Sequence, residues 1–269
     1  INKKMKFQIK NIVAVMAIAL AFTSCSDDDN NAITGEGNLK LEFDNVYGDA
    51  DFAFNTPYTN SNGEVVKASN AIYIVSNIVL TKDDGTTFTY PKSESYFIID
   101  ESDAASLKIN LNKVPAGDYT KIKFGIGVDE AQWALGADGQ GDLYAKAQAA
   151  KMMWSWTGGY KFLAFEGTFT CPTMPEASGF MVHTGKTGST YNYKEITLDF
   201  PTKAMVRTNI APSVHIIADV SKIIDGKNKI VLMDSNAMGM GGMIMGGANL
   251  PLITENLSAM FKVDHVHND

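Results

Sequence analysis

One device repeats along most of this chain: a short run of alternating apolar and polar residues, then a turn signal. Leu39-Lys40-Leu41-Glu42-Phe43 is the plainest case. Successive side chains of a strand point to opposite faces, so such a run marks a strand with one face in a core. Comparable runs occupy 71–80, 87–90, 96–99, 107–111, 121–126, 160–165, 180–183, 195–200, 215–217 and 229–232. Asp83-Asp84-Gly85, Pro115-Ala116-Gly117-Asp118 and Asp225-Gly226-Lys227-Asn228 punctuate them as turns. Many short strands at this spacing predict an all-β chain, with a single β-sandwich domain over 38–269 and a few short helices. Helix is expected at 142–153, which holds Ala145, Ala147, Ala149 and Ala150, and for a turn or two at 254–260. Residues 239–247 interleave Gly with Met; too Gly-rich for a good helix and too irregular for a strand, they read as a mobile surface loop.

The first residues stand apart from this pattern. Lys3, Lys4, Lys6 and Lys10 precede an unbroken apolar run at 12–22, followed by Thr23, Ser24 and Cys25. That order reads as a secretory signal over 1–24. As a helix the apolar run spans about 16 Å, short of the ~30 Å hydrocarbon core, so it does not read as a transmembrane helix. Phe22-Thr23-Ser24-Cys25 resembles a bacterial lipobox, with Cys25 the lipidated residue. The acidic Ser26-Asp27-Asp28-Asp29 that follows resembles the Bacteroidetes signal for export of lipoproteins to the cell surface. The expectation is an outer-membrane lipoprotein, exposed at the surface or facing the periplasm, with a flexible acidic tether over 25–37.

The formal net charge is −7, and residues 1–24 carry basic side chains but no acidic ones, so the remainder is more acidic still. This disfavours nucleic acid and anionic lipid surfaces as partners. With Cys25 acylated, Cys171 is left alone, so no intrachain disulfide is expected; it reads as a small buried hydrophobe. HExxH, GxSxG, P-loop and dinucleotide-binding patterns are absent, and no carboxylate pair stands out for hydrolysis. The expectation is a binding protein and not an enzyme.

Chemistry concentrates in a few side chains. Trp154 and Trp156 flank a single serine and precede Gly158-Gly159-Tyr160; extended, they share one face and suit packing as well as chemistry on the indole. Trp133 reads as an aromatic anchoring a loop. His183, at a strand end before Thr184-Gly185, is either a metal ligand or a hydrogen-bonded structural group. His215, between Val214 and Ile216, reads as a packed histidine. His265 and His267 are two apart, so on a strand both face one way and offer two nitrogens, although they lie near a terminus where chains fray. Met238, Met240, Met243 and Met245 offer either thioether ligands or a soft, adaptable surface.

Several of these stretches share a resemblance. Gly117-Asp118-Tyr119 through Phe124-Gly125-Ile126-Gly127-Val128-Asp129, Met153-Trp154-Ser155-Trp156 with Gly159-Tyr160-Lys161-Phe162, His183-Thr184-Gly185, and the closing run from Glu255 to His267 occur in the order found in the MbnP-like copper-binding proteins. The chain resembles a Bacteroidetes lipoprotein member of that family over nearly all of 38–269. The resemblance implies one copper ion held by imidazoles and by a tryptophan oxidised to kynurenine, made by a di-haem peroxidase-like partner. An intact indole nitrogen is a poor donor; the ring-opened product offers an aniline nitrogen and a carbonyl, and imidazole suits both copper oxidation states. It makes His183, His265 and His267 the expected ligands, Trp154 or Trp156 the modified donor, and copper acquisition or storage the expected role. Two departures stand out. The family often places a histidine soon after its first strand, where this chain has Phe43 to Tyr47, and an Asn-His pair after the Gly-Val strand, where it has Asp129-Glu130-Ala131-Gln132. The alternative is a surface binding or adhesion module that keeps the scaffold without the metal.

Overall fold

Alternation does become strand. The computed structural model describes residues 33–155, 157–236 and 239–269; the leader, Cys25, Trp156 and Met238 lie outside the described residues. The first half contributes β1 (Glu36–Tyr47), β2 (Ala50–Asp51), β3 (Tyr58–Thr59), β4 (Val65–Lys82), β5 (Thr87–Thr89), β6 (Tyr96–Asp100), β7 (Lys108–Pro115) and β8 (Gly117–Ile126). After two short helices, α1 (Glu130–Trp133) and α2 (Asp142–Ala149), come β9 (Met153–Ser155), β10 (Gly159–Cys171), β11 (Met174–Thr187), β12 (Thr190–Tyr191), β13 (Lys194–Val206) and β14 (Ser213–Asp219). The chain closes with α3 (Lys222–Asp225), β15 (Gly242–Ile244), α4 (Asn249–Asn256) and β16 (Phe261–His267).

Two sheets result. The smaller runs β16-β14-β1, with β7 and β2 both paired to β1; the larger is ordered β12-β11-β10-β4-β8-β13, with shorter strands attached to β4, β10 and β11. Their inner faces form the core. Phe43 and Phe261 from the smaller sheet meet Tyr73 and Phe124 from the larger, edge to face, with ring centroids 5.4–6.4 Å apart. Such pairs add about 0.5–1.5 kcal/mol each beyond the area they bury. A second apolar layer covers the outer face of the larger sheet, where Leu143, Ala147 and Met152 pack on Ile72, Ile74 and Phe162.

Four expectations need correction. Residues 229–232 form only a single bridge, Asp225 to Lys229, because Ile230 and Leu232 bury as the chain turns after α3 instead of pairing along an edge. The Gly-Met segment is not all loop: β15 pairs in parallel with Phe180–Val182 of β11. Glycine is needed there for contact, since a Cβ on Gly241 would stand 2.7 Å from the Gly179 carbonyl oxygen. Cys171 is half-buried, its sulfur 3.3 Å from the Thr173 hydroxyl. The C-terminal residues do not fray: Phe261 is locked in the aromatic cluster, and β16 pairs with β14 as far as His267.

Candidate metal centre

The outward face of the smaller sheet gathers three of the four histidines. In β14, Val214 and Ile216 are buried and His215 lies between them on the other face. Its cross-strand partner on β16 is His265, and the next outward position on β16 is His267, opposite Ser213. On the other side of β14, Glu42 of β1 pairs with His215, and Lys108 of β7 pairs with Glu42. One row across four strands therefore reads Lys108, Glu42, His215, His265.

The His215 and His265 rings stack at 4.2 Å between centroids, 19° from parallel, and His267 stands edge-on to both at 5.3 and 4.6 Å. One nitrogen from each ring lies within 4.8 Å of the others. Metal–imidazole bonds of about 2.0–2.1 Å put two nitrogens about 3.3 Å apart on a tetrahedral ion. The rings are half-buried or exposed and can turn out of their stack toward that spacing, and three imidazoles are a donor set that suits copper.

The electrostatics keep imidazole available. Burial lowers the His215 pKa, and repulsion from His265 and His267 lowers it further against the attraction of Glu42. His215 is thus more readily neutral, with a lone pair to give. Burial pushes Glu42 up, but a 3.0 Å hydrogen bond from Ser213 and the charges of His215 and Lys108 win, so its carboxyl lies below the ordinary value. Its Oε2 sits 3.9 Å from His215 Nε2.

The other expected site residues are not brought here. His183 lies on β11 of the larger sheet, buried, with Nε2 2.6 Å from Glu166 Oε1. Burial lowers its pKa against the pull of Glu166. The Trp154 ring lies 6.4 Å from the His183 ring and packs over Gly185, where a Cβ would come within 2.7 Å of the indole. Trp133 ends α1 with the Lys186 ammonium 4.7 Å from its ring centre. Met240 and Met243 project into solvent, and Met245 lines a cleft beside Trp154. The reading of His215 as packed missed the trio; Val-His-Ile carried the needed signal, since apolar neighbours on both sides place the histidine on the opposite, polar face.

The two departures from the family pattern are also explained. Phe43 fills the core, and Tyr47 stacks on Tyr58 at 4.3 Å. Asp129 caps α1 through the Gln132 N–H and accepts hydrogen bonds from Lys92, Asn77 and Tyr96 at 2.8–2.9 Å. Burial opposes ionisation of Asp129, but those donors outweigh it and bring its pKa down to about 2. Both places are committed to structure.

The MbnP family model matches residues 36–243. The chain belongs to the MbnP family. The role associated with MbnP proteins is copper-related. Among solved structures, MbnP from Methylosinus trichosporium overlays on 78% of this chain and 81% of its own, at 13% identity and a TM-score of 0.46. No curated protein matches the chain. His215 lies inside the matched span, and His265 and His267 lie beyond it on β16.

Proposed function

We propose that this MbnP protein is a lipid-anchored copper-binding protein that holds one copper ion at His215, His265 and His267. The supporting observation is the convergence of three imidazole nitrogens within 4.8 Å of one another on one sheet face. The role in this reading is capture and retention of the ion, not catalysis. Cys25 provides the anchor and the acidic 26–29 run the route to the outer-membrane surface. Copper would be the cargo, bound by neutral imidazoles that serve either oxidation state.

The test is metal analysis of protein taken from its own host. Copper near one per chain in the wild type, lost in a variant with all three histidines changed to alanine, supports the reading. Equal copper in both sinks it.

A second reading rests on Trp154 standing 6.4 Å from His183. There the donor is an oxidised Trp154 with His183, made by a di-haem peroxidase-like partner. Intact-mass and peptide analysis of the native protein decides it: an unmodified Trp154 and Trp156 in copper-loaded protein exclude that route.

A further inference from the structure

β16 carries one residue more than its partner. His265 pairs with His215 and Val263 with Ile216, which leaves Asp264 as the extra residue of a β-bulge. Without Asp264 the strand would alternate cleanly, Val263 inward, His265 outward, Val266 inward and His267 outward. The insertion is therefore not needed to build the sandwich or to aim the histidines. What it adds is a carboxylate on the outward face, next to a ring that a regular strand would have turned away from it. Bulges commonly re-aim side chains in this way beside functional sites.

The carboxylate is in contact. Asp264 Oδ2 lies 2.7 Å from His265 Nδ1. Among the described residues it is the one carboxylate at hydrogen-bond distance from an imidazole of the trio; Glu42 stands back at 3.9 Å from His215, occupied by Ser213 and Lys108. A carboxylate accepting from Nδ1–H keeps the proton on that nitrogen and the lone pair on Nε2. It also makes the ring a stronger donor, as outer carboxylates do for metal-bound histidines generally.

We propose that Asp264 is a positioning residue of the copper site, carried into place by the bulge to fix His265 as the Nδ1–H tautomer and present Nε2 to the metal. This rests on the reading of the trio as the copper site. It concerns the way one ligand is prepared, not which residues bind.

Full-length Asp264→Ala, Asp264→Asn and Asp264→Glu variants, and one with Asp264 deleted, test it. Copper affinity is read by competition with a chromophoric chelator, and the His265 tautomer by nitrogen-15 NMR of the metal-free protein. Asp264→Ala and the deletion should each weaken copper binding about tenfold or more. Their melting temperatures should hold, because Asp264 is exposed and outside the core. Asp264→Glu should recover most of the affinity, and His265 should lose its Nδ1–H preference in the alanine and deletion variants. Unchanged affinity and tautomer in those two variants overturn the proposal while leaving the trio intact. A wild type that binds no copper instead overturns the trio, and with it the role of Asp264 at a copper site.

Discussion

The outward face of the smaller sheet and the outer layer of the larger one treat polar groups in opposite ways. Around Trp154 and Asp129 the polar groups stand singly among partners of their own: His183 Nε2 on Glu166, with its Nδ1 buried and unpartnered among the described residues, and Asp129 on Lys92, Asn77, Tyr96 and the α1 backbone. Across β1, β14 and β16 the register sets three imidazoles side by side and binds only one of them closely to a carboxylate. A histidine with a nitrogen to spare serves as a ligand when other donors converge on the same point, and that depends on its neighbours across the sheet more than on its own flanking sequence.

The contrast can be broken in several ways. The largest expected effect is on copper: replacing His215, His265 and His267 together should abolish retention measured by elemental analysis, while circular dichroism stays that of the wild type. Next in size, Phe261→Ala should destabilise the fold by about 3–5 kcal/mol in chemical denaturation, because it opens a cavity among three aromatic rings. It should also weaken copper binding, since Phe261 pins the strand that carries two ligands.

His183→Ala sharpens the comparison from the other side. It should cost about 1–3 kcal/mol of stability by removing a buried, hydrogen-bonded group, yet leave copper stoichiometry unchanged. Loss of copper with stability intact would move the site to the Trp154 side. The smallest effect expected is for Asp129→Asn, about 1–2 kcal/mol at neutral pH after allowance for partial exposure. Its folded pKa is depressed to about 2, so its contribution is full above the ordinary carboxylate range and fades as pH falls toward 2. Denaturation curves of wild type and variant should therefore converge in acid. A gap that persists at low pH would mean that Asp129 acts by packing and not by charge.

Much of the fold was legible. The 39–43 alternation became β1, the Pro-Ala-Gly-Asp turn joins β7 to β8, and the alanine-rich run became α2. Strand 229–232 failed because its apolar residues were taken for one face of a sheet, whereas they pack into the core from a turn. The Gly-Met segment misled for a different reason: glycine usually weakens a strand, but here it lets β15 lie against β11 where a Cβ would clash. The site was legible in part. His265 and His267 could be paired from their spacing; His215 could be placed on a polar face but not beside them.

By itself the sequence determined which face each side chain would take, because alternation is local and needs only neighbours in the chain. It also determined that a histidine pair near the end would share a direction once held as a strand. Which histidine would stand opposite that pair was decided only in three dimensions, since cross-strand register is set by contacts between residues about fifty positions apart. The bulge at Asp264 belongs to the same class: an extra residue shows as an insertion only when the partner strand is there to count against it.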